Sequence, residues 1–299
     1  MRVSVILSTY NQPRWLEKSL WGYAAQSYRD FELIVADDGS GPDTAALVAR
    51  VRAETGLDIE HVWHEDRGFR KCEILNRAIL AASTDYLVFS DGDCIPREDF
   101  LATHVRLARP GYFLSGTAQR LPMEASERIG LDDIRAKRLS NGRWLRAQGY
   151  RPRLLSTKLL VAPRLNALAD LVTTLPARFD ANNVSTWKDG CMAVNGFDHE
   201  MVYGLEDRGL GLRLLHHGYR GRNIRNRAIV FHLDHDRPYA TAEGIRRNTE
   251  IIGRIMKHRE VRARVGLEEL AAQLASGEGP TTVRPASRHL PTPSGADVD

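Results

Sequence analysis

The stretch Tyr86-Leu87-Val88-Phe89-Ser90-Asp91-Gly92-Asp93 decides the fold class of this chain. Its four leading apolar residues predict a short buried strand, and two carboxylates stand where that strand would end. Similar apolar runs precede it at 3–7, 31–36 and 58–63, separated by amphipathic spans of ten residues or more. This alternation predicts an α/β fold with a Rossmann-like, mostly parallel central sheet flanked by helices. Ligands of such sheets bind at the carboxyl ends of the strands.

The composition is that of a globular protein with an anionic partner. The 299 residues are 42% hydrophobic and 27% charged, which is enough to bury a sizeable core. A net charge of +4 favours nucleic acid, a membrane surface or a phosphorylated small molecule as the partner. The cysteines at 72, 94 and 191 follow no metal-binding spacing and are expected to be structural thiols. Because no apolar run reaches the roughly 18 residues of a membrane span, we expect a cytoplasmic protein, with peripheral contact at the inner face of the cell membrane as an extension.

The two carboxylates after the predicted strand are candidate ligands of a divalent cation. Hard cations such as Mg²⁺ and Mn²⁺ prefer carboxylate oxygens, and a diphosphate group needs such a cation to neutralise it. Side chains alternate along an extended segment, so Asp93 is expected to face the metal. Asp91 would then face a ribose or reach the metal through water, beside Gly92. A solvated acidic turn is the alternative for this short motif.

A second polar group follows the run at 31–36, at Asp37-Asp38-Gly39-Ser40. A carboxylate there can accept the imide proton of a uracil ring, and a glycine allows close backbone approach. Asp38 is therefore predicted to bind the base, together with Thr9, Tyr10 and Asn11 at the end of the first strand. Asp-Gly is also an ordinary turn signal, so this motif indicates a binding site only together with the other motifs at strand ends.

A basic cluster precedes the helix predicted at 72–82. Arg67, Arg70 and Lys71 form this cluster and are predicted to meet the charge of a diphosphate, and Asn76 lies within the helix that follows. The alternative is a solvated helix cap. Arg67, Arg70 and Asn76 complete the predicted donor-binding set.

Two later motifs carry candidate catalytic and metal-binding side chains. Glu206 and Asp207 stand at the start of a predicted amphipathic helix, where the helix dipole alone would favour acids. A transfer to a hydroxyl group needs a carboxylate base, and Asp207 is the candidate, with Glu206 as acceptor-binding partner or substitute. His232 is a candidate metal ligand, with His235 as its alternative. A lone histidine is more often a packed or surface residue.

Together these motifs resemble the large family of inverting glycosyltransferases with the GT-A fold, which includes the hyaluronan, chondroitin and cellulose synthases. The bacterial chondroitin polymerases are the most similar in pattern, and the later motifs also resemble the catalytic segment of the animal β-1,4-galactosyltransferases. The stretches that carry the resemblance run from residue 3 to about 239 and lie at 3–11, 37–40, 68–76, 91–94, 195–198 and 206–214. The usual Gly-Gly before the acid pair is Gly204-Leu205 here.

The resemblance implies a catalytic base at Asp207, a metal ligand at His232, an Mn²⁺ or Mg²⁺ cofactor and a nucleotide-sugar donor. The implied donor is a UDP-sugar, with GDP and dTDP left open, and one sugar would pass to a glycan, lipid-linked or small-molecule hydroxyl. A sugar nucleotidyltransferase and a non-catalytic carbohydrate-binding protein are the alternatives. Nucleic acid is not an expected partner, because the strongest motifs are acidic.

On this interpretation the chain divides into a main domain and two appendages. Residues 1–241 are expected to form the GT-A domain: a nucleotide-binding half at 1–115, a basic insert at 116–178 and an acceptor-binding, catalytic segment at 179–241. Residues 242–275 are predicted to be a basic helical region, and 276–299 a disordered tail. Residues 120–164 hold eleven Lys and Arg against four acidic residues. Both basic regions favour either an anionic membrane or a solvated cationic surface.

Overall fold

A computed structural model describes residues 1–151, 163–236 and 239–276. The tail predicted at 276–299 therefore lies outside the described residues from 277 onward, as does the part of the insert at 152–162. None of the described helices is long and apolar enough to cross a membrane.

Strands and helices alternate through the first hundred residues, as the sequence predicts. The strands of the described part are β1 (Val3–Thr9), β2 (Phe31–Asp37), β3 (Ile59–Trp63), β4 (Tyr86–Asp91), β5 (Cys94–Pro96), β6 (Tyr112–Ser115), β7 (Thr117–Arg120), β8 (Asn183–Trp187), β9 (Arg220–Asn223) and β10 (Ile229–His232). The helices there are α1 (Pro13–Ala24), α2 (Pro42–Thr55), α3 (Lys71–Ala81), α4 (Phe100–Leu107), α5 (Met123–Arg128), α6 (Leu131–Arg135), α7 (Gly142–Ala147), α8 (Pro163–Leu171), α9 (Lys188–Ala193), α10 (Glu206–His217), α11 (Ala242–His258) and α12 (Leu267–Ala275), with a 3-10 turn at Arg138–Ser140.

The central sheet has seven strands in the order β3-β2-β1-β4-β8-β6-β9. Strands β1 to β4 are parallel, and β8 runs antiparallel to both of its neighbours. The chain order reverses between β1 and β4, so their carboxyl ends open a crevice of the kind that binds ligands in α/β sheets. The predicted α/β fold with a mostly parallel central sheet is confirmed.

A smaller sheet, β5-β10-β7, brings the two halves of the chain together at that crevice. Strand β10 pairs antiparallel with β5, and this register sets His232 opposite Cys94. His232 therefore lies next to Asp93 although the sequence separates them widely. The helices of the predicted insert contribute Ala125, Ile134 and Leu145 to the core under this sheet.

The region after residue 241 is part of the main core, which differs from the predicted organisation. Ile251, Ile252 and Ile255 of α11 and Leu267 of α12 are buried in the same apolar cluster as Phe89 of β4. Burying each such side chain stabilises a fold by about 1.5–3 kcal/mol. The region after residue 241 therefore shares the main core, because α11 is apolar on the face that meets α10 and α12 packs on α3.

Candidate active site

A cleft of about 680 Å³ opens at the carboxyl ends of β1 and β4. It gathers most of the site residues that the sequence predicts. Those that line it are Thr9, Tyr10, Asn11, Asp38, Asp91, Gly92, Asp93, Glu206, Asp207, His232 and His235. The sequence motifs are thus neighbours in space, although they come from both halves of the chain.

Asp93 and two histidines form a candidate metal centre. His235 Nε2 lies 2.7 Å from Asp93 Oδ2, and His232 Nε2 lies 3.7 Å from Asp93 Oδ1. The two imidazole rings are stacked, with centroids 5.7 Å apart. Burial opposes ionisation of Asp93, but the hydrogen bond from His235 and the nearby charges of both histidines outweigh it and lower the pKa of the carboxyl group. The carboxylate is therefore available as a ligand.

The ligand atoms of this centre fit a divalent cation. One ligand atom each from Asp93, Cys94 and His232 lie within 4.8 Å of one another. Burial raises the pKa of the Cys94 thiol well above its ordinary value, and soft sulfur ligands favour cations other than Mg²⁺ and Mn²⁺. The remaining carboxylate and imidazole groups suit Mn²⁺ better than Mg²⁺, which prefers oxygen ligands alone. Both imidazole groups lie beside the Asp93 carboxylate, so either could be a further ligand.

Asp91 is held by two neighbours at the end of β4. Ser8 Oγ donates to Asp91 Oδ1 at 2.6 Å, and Lys71 Nζ lies 3.0 Å from the same oxygen. The close approach of Gly92 to β1 is part of the same arrangement, since the Gly92 amide donates to the Ser8 carbonyl at 2.7 Å. Lys71 is thus the member of the basic cluster whose side chain enters the cleft.

Asp38 is fixed at the other side of the cleft. His64 Nε2 lies 2.6 Å from Asp38 Oδ1, and the Arg70 amide donates to Oδ2 at 3.0 Å. The neighbouring Asp37 is fully buried and bonds the Ser40 amide and His61, so its role is structural. A carboxylate oxygen has two lone pairs, so Asp38 can still accept a hydrogen bond from a bound base.

Glu206 and Asp207 begin helix α10 at the floor of the cleft. The Ala181 amide donates to Asp207 Oδ2 at 3.0 Å. Loss of solvation, together with the charge of Glu206, raises the pKa of Asp207 from 3.8 to about 7, against the opposing effect of Lys71. Glu206 Oε2 is buried and has no hydrogen-bond partner within the described ranges. A base with a pKa close to neutrality matches proton abstraction from a hydroxyl group.

The loop before this acid pair is held by helix α11. The side-chain amide of Asn248 donates to the carbonyl groups of Val202, at 2.7 Å, and of Gly204, and its oxygen accepts from the Val202 amide at 3.1 Å. Gly204 and Leu205 both have positive φ, at 92° and 71°. This conformation is costly for a leucine, so the surrounding contacts must hold it in place. Asn248 is one such contact, and no sequence motif identified it.

Three aromatic side chains beside this loop were also missed. Phe69, Tyr203 and Tyr239 pack against one another in the cleft, with ring centroids 4.9 to 5.9 Å apart. They come from three separate loops, so no spacing in the sequence could have grouped them. Aromatic rings of this kind offer flat apolar surfaces to a ligand.

Three predicted donor-binding residues do not line the cleft, which corrects those predictions. Arg67 is exposed and bonds Glu65, because the loop directs its guanidinium group outward. The guanidinium group of Arg70 bonds Glu73 and the Glu65 carbonyl, and only its backbone amide points to Asp38. Asn76 is fully buried inside the fold.

The amide group of Asn76 bridges α3 to the loop after α9. It donates to the Phe197 carbonyl at 2.8 Å and accepts from the Phe197 amide at 2.9 Å. Its nitrogen also lies 2.8 Å from His199 Nε2. Both polar atoms of the side chain are therefore occupied, and Asn76 fixes the protein rather than the donor.

Comparisons with known proteins agree with this geometry. Residues 4–143 match the family model described as glycosyl transferase family 2. The chondroitin synthase of Escherichia coli is 26% identical over 246 residues, which cover 77% of this chain and 34% of that protein. The poly-beta-1,6-N-acetyl-D-glucosamine synthase of Staphylococcus aureus is 31% identical over 97 residues, or 32% of this chain and 23% of that protein. The chain thus spans about a third or less of the length of these relatives.

Solved structures share the fold across nearly the whole chain. Staphylococcus aureus TarS superposes with a TM-score of 0.58 and 18% identity, covering 92% of this chain and 42% of TarS. The mannosyltransferase PcManGT from Pyrobaculum calidifontis, solved with GDP-Man and Mn²⁺, gives a TM-score of 0.54 and 18% identity and covers 93% and 79% of the two chains. The sheet, the clustered motifs and the superposed structures lead to one conclusion: this chain has the GT-A fold, and its residues 4–143 are similar to glycosyl transferase family 2.

Proposed function

We propose that this protein is a metal-dependent, inverting glycosyltransferase that moves one hexosyl or N-acetylhexosaminyl group from a UDP-sugar to an acceptor hydroxyl. The observation that carries the proposal is the position of Asp207. A carboxyl group with a pKa near 7 lies in the same cleft as a base-binding carboxylate, Asp38, and a metal-binding set around Asp93. A single-displacement transfer needs these three functions together.

The donor would lie along the carboxyl ends of β1 and β4. Asp38 would accept a hydrogen bond from the imide N–H of the base, while Thr9, Tyr10 and Asn11 line the same end of the cleft. TarS has been solved with UDP and with UDP-GlcNAc, which supports uracil as the base. PcManGT was solved with GDP-Man, so the fold also accepts guanine and the choice needs a direct test.

The diphosphate would be bound between Asp91, Lys71 and the metal centre. Asp93 and one or both of His232 and His235 would hold an Mn²⁺ or Mg²⁺ ion, which stabilises the negative charge that builds up on the departing diphosphate. Lys71 adds a fixed positive charge at the same end of β4, 3.0 Å from Asp91. It would therefore assist in holding the phosphate oxygens.

Asp207 would remove the acceptor proton. The acceptor oxygen attacks the anomeric carbon as the bond from that carbon to the diphosphate oxygen breaks, and the hydroxyl proton passes to an Asp207 oxygen. Attack from the side opposite the leaving group inverts the anomeric configuration. Glu206, buried beside Asp207, would raise the basicity of its neighbour and bind the acceptor. A glycan, a lipid-linked sugar or a small-molecule hydroxyl would serve as the acceptor.

A thermal-shift screen tests the proposal. UDP, GDP, dTDP and CDP are each added with Mn²⁺, Mg²⁺ or EDTA to the wild type, to Asp93→Ala and to the control Asp132→Ala, whose side chain is almost fully exposed. We expect one nucleotide to stabilise the wild type and the control, and this effect to vanish with EDTA or with Asp93→Ala. Stabilisation by a nucleotide that survives both would exclude the metal site.

The products of turnover separate the proposal from its nearest rival. A glycosyltransferase releases a nucleoside diphosphate from a nucleotide sugar, whereas a nucleotidyltransferase releases inorganic pyrophosphate from a nucleoside triphosphate. The rival has no use for a base at Asp207. Pyrophosphate release that survives Asp207→Asn would overturn our assignment, while binding of nucleotide without any turnover would favour a non-catalytic protein.

A further inference from the structure

The cleft is lined by one lysine and one arginine of the described residues, Lys71 and Arg120. Lys71 is paired, because its Nζ lies 3.0 Å from Asp91 Oδ1. Arg120 ends β7 and is exposed, and within the described ranges no acid forms an ion pair with its guanidinium group. Such a cation is either an ordinary surface residue or the binding partner of an anionic ligand. Its position in the fold favours the second.

The backbone at Arg120 is held in place by both of its neighbours. Gln119 is buried, and its side-chain oxygen accepts a hydrogen bond from the Tyr150 hydroxyl at 2.6 Å. Leu121 is also buried, and its amide donates to the His232 carbonyl at 2.9 Å. Because both flanking residues are fixed, the side chain of Arg120 starts from a defined point on the wall of the cleft.

Strand pairing places Arg120 beside the candidate metal centre. His232 is paired in register with Arg120 on β7 and with Cys94 on β5, so it lies between these two residues. Adjacent strands are about 4.8 Å apart, and residues in register point their side chains to the same face of a sheet. An arginine side chain is longer than this spacing. An oxygen atom of a ligand bound at His232 is therefore within reach of the Arg120 guanidinium group.

Lys71 and Arg120 lie on opposite walls of the cleft. Along β1, Ile6 faces the core that contains residues of α3, whereas Leu7 faces the core that contains Val230 of β10. Successive side chains of a strand point to opposite faces, so α3 and β10 lie on opposite sides of the central sheet. Lys71 begins α3, and Arg120 pairs with β10. A ligand at the carboxyl ends of β1 and β4 would therefore lie between the two cations.

We propose that Arg120 is a further donor-binding residue, whose guanidinium group binds the diphosphate from the side opposite Lys71. The proposal rests on the proposed transferase function, because that function puts a diphosphate at the metal centre. Arginine suits this position, since its planar group can donate two parallel hydrogen bonds to phosphate oxygens.

The charges in the cleft explain why a second cation is needed. A donor diphosphate carries a negative charge on each phosphate, and one more develops when its bond to the anomeric carbon breaks. The charge of Lys71 is already offset by Asp91, and that of a bound ion would be partly offset by Asp93. Arg120 has no such counter-charge among the described acids, so it would stabilise the departing diphosphate with its full charge.

Calorimetric titration of the full chain tests the proposal. UDP affinity is measured with Mn²⁺ present, and uridine affinity by competition against UDP, for the wild type, Arg120→Ala and Arg120→Lys. Arg120→Ala should weaken UDP binding at least about tenfold, because a charge-assisted contact is lost, and leave uridine binding unchanged. Arg120→Lys should restore part of the affinity, because it keeps the charge but not the two parallel hydrogen bonds.

Two controls accompany the titration. Arg146→Ala removes an exposed arginine of α7 that does not line the cleft, and it should bind UDP like the wild type. The melting temperature without nucleotide should be the same for wild type and Arg120→Ala, because the replaced side chain is exposed. EDTA should still abolish UDP binding by Arg120→Ala, because Arg120 is not a metal ligand.

Failure of this inference and failure of the proposed function give different results. Equal UDP affinity of the wild type and Arg120→Ala, with the Mn²⁺ requirement intact, would overturn the role of Arg120 alone and assign it to solvent or to an anionic acceptor. An equal loss of UDP and uridine would also overturn it, because the change would then affect the base-binding end. A wild type that binds none of UDP, GDP, dTDP and CDP with Mn²⁺ would overturn both proposals.

Discussion

Replacing Asp207 with asparagine should stabilise the folded protein while abolishing transfer. Loss of solvation and the charge of Glu206 raise the pKa of Asp207 from 3.8 to about 7. A carboxyl group whose pKa is higher in the folded state makes the fold less stable as pH rises, because the native environment opposes its ionisation. This cost begins above about pH 4 and is complete above about pH 7.

The size of the effect follows from the pKa difference. The rise from 3.8 to about 7 corresponds to at most about 4 kcal/mol at pH 8, at 1.36 kcal/mol for each pH unit. The Asp207 side chain is partly exposed, so solvent screening reduces the expected gain to about 2 kcal/mol. Asparagine keeps an oxygen that can accept from the Ala181 amide, so that bond is preserved. The melting temperature should rise by about 4 °C.

The assay is thermal unfolding of wild type and Asp207→Asn at pH 8 and pH 5, in EDTA and without nucleotide. The gain should be largest at pH 8 and fall by more than half at pH 5, because pH 5 lies only about one unit above the unfolded pKa of 3.8 and keeping the folded carboxyl group protonated costs less there. Asp132→Asn, at an exposed position, should show no change at either pH. A variant that melts at or below the wild type at pH 8 would refute the reasoning.

Three further predictions concern the site and its support. Asn248→Ala should lower kcat with little change in nucleotide affinity, because it releases the loop before Glu206. Steady-state kinetics and a nucleotide titration would measure the two effects, and an unchanged kcat would count against a positioning role for Asn248. Asn76→Ala should lower the free energy of unfolding in urea by about 2–3 kcal/mol, because it leaves the buried Phe197 amide and carbonyl without partners. The folded fraction of this variant should bind nucleotide as the wild type does. The rate of transfer should fall about tenfold for each pH unit below about 7, as Asp207 becomes protonated, and a rate independent of pH between 5 and 8 would exclude it as the base.

The sequence was most informative where local patterns decide the structure. The strand at 86–91 and the acids that follow it were predictable, because apolar runs form buried strands and parallel strands end at one edge of the sheet. The same logic placed Asp38 at the cleft. These inferences need no knowledge of how distant segments pair.

The remaining site depends on contacts that distant segments make. His232 reaches Asp93 only through the pairing of β10 with β5, and neither strand exceeds four residues. Arg67 and Lys71 are equivalent as charges in the sequence, yet the first faces solvent and the second enters the cleft at the start of α3. The packing of α11 into the main core was not predictable, because α11 is rich in arginine although its buried face is apolar.

The pairing of β10 with β5 also determines when, during synthesis, the proposed metal centre can first form. Asp93 leaves the ribosome about 140 residues ahead of His232, an interval of roughly 7 to 28 s at common translation rates. Throughout that time the nascent chain holds the nucleotide-facing strands without their histidines, so the metal centre cannot close. Formation of the proposed metal centre is consequently a late event, and a chain on a ribosome stalled before residue 229 should show no response to Mn²⁺.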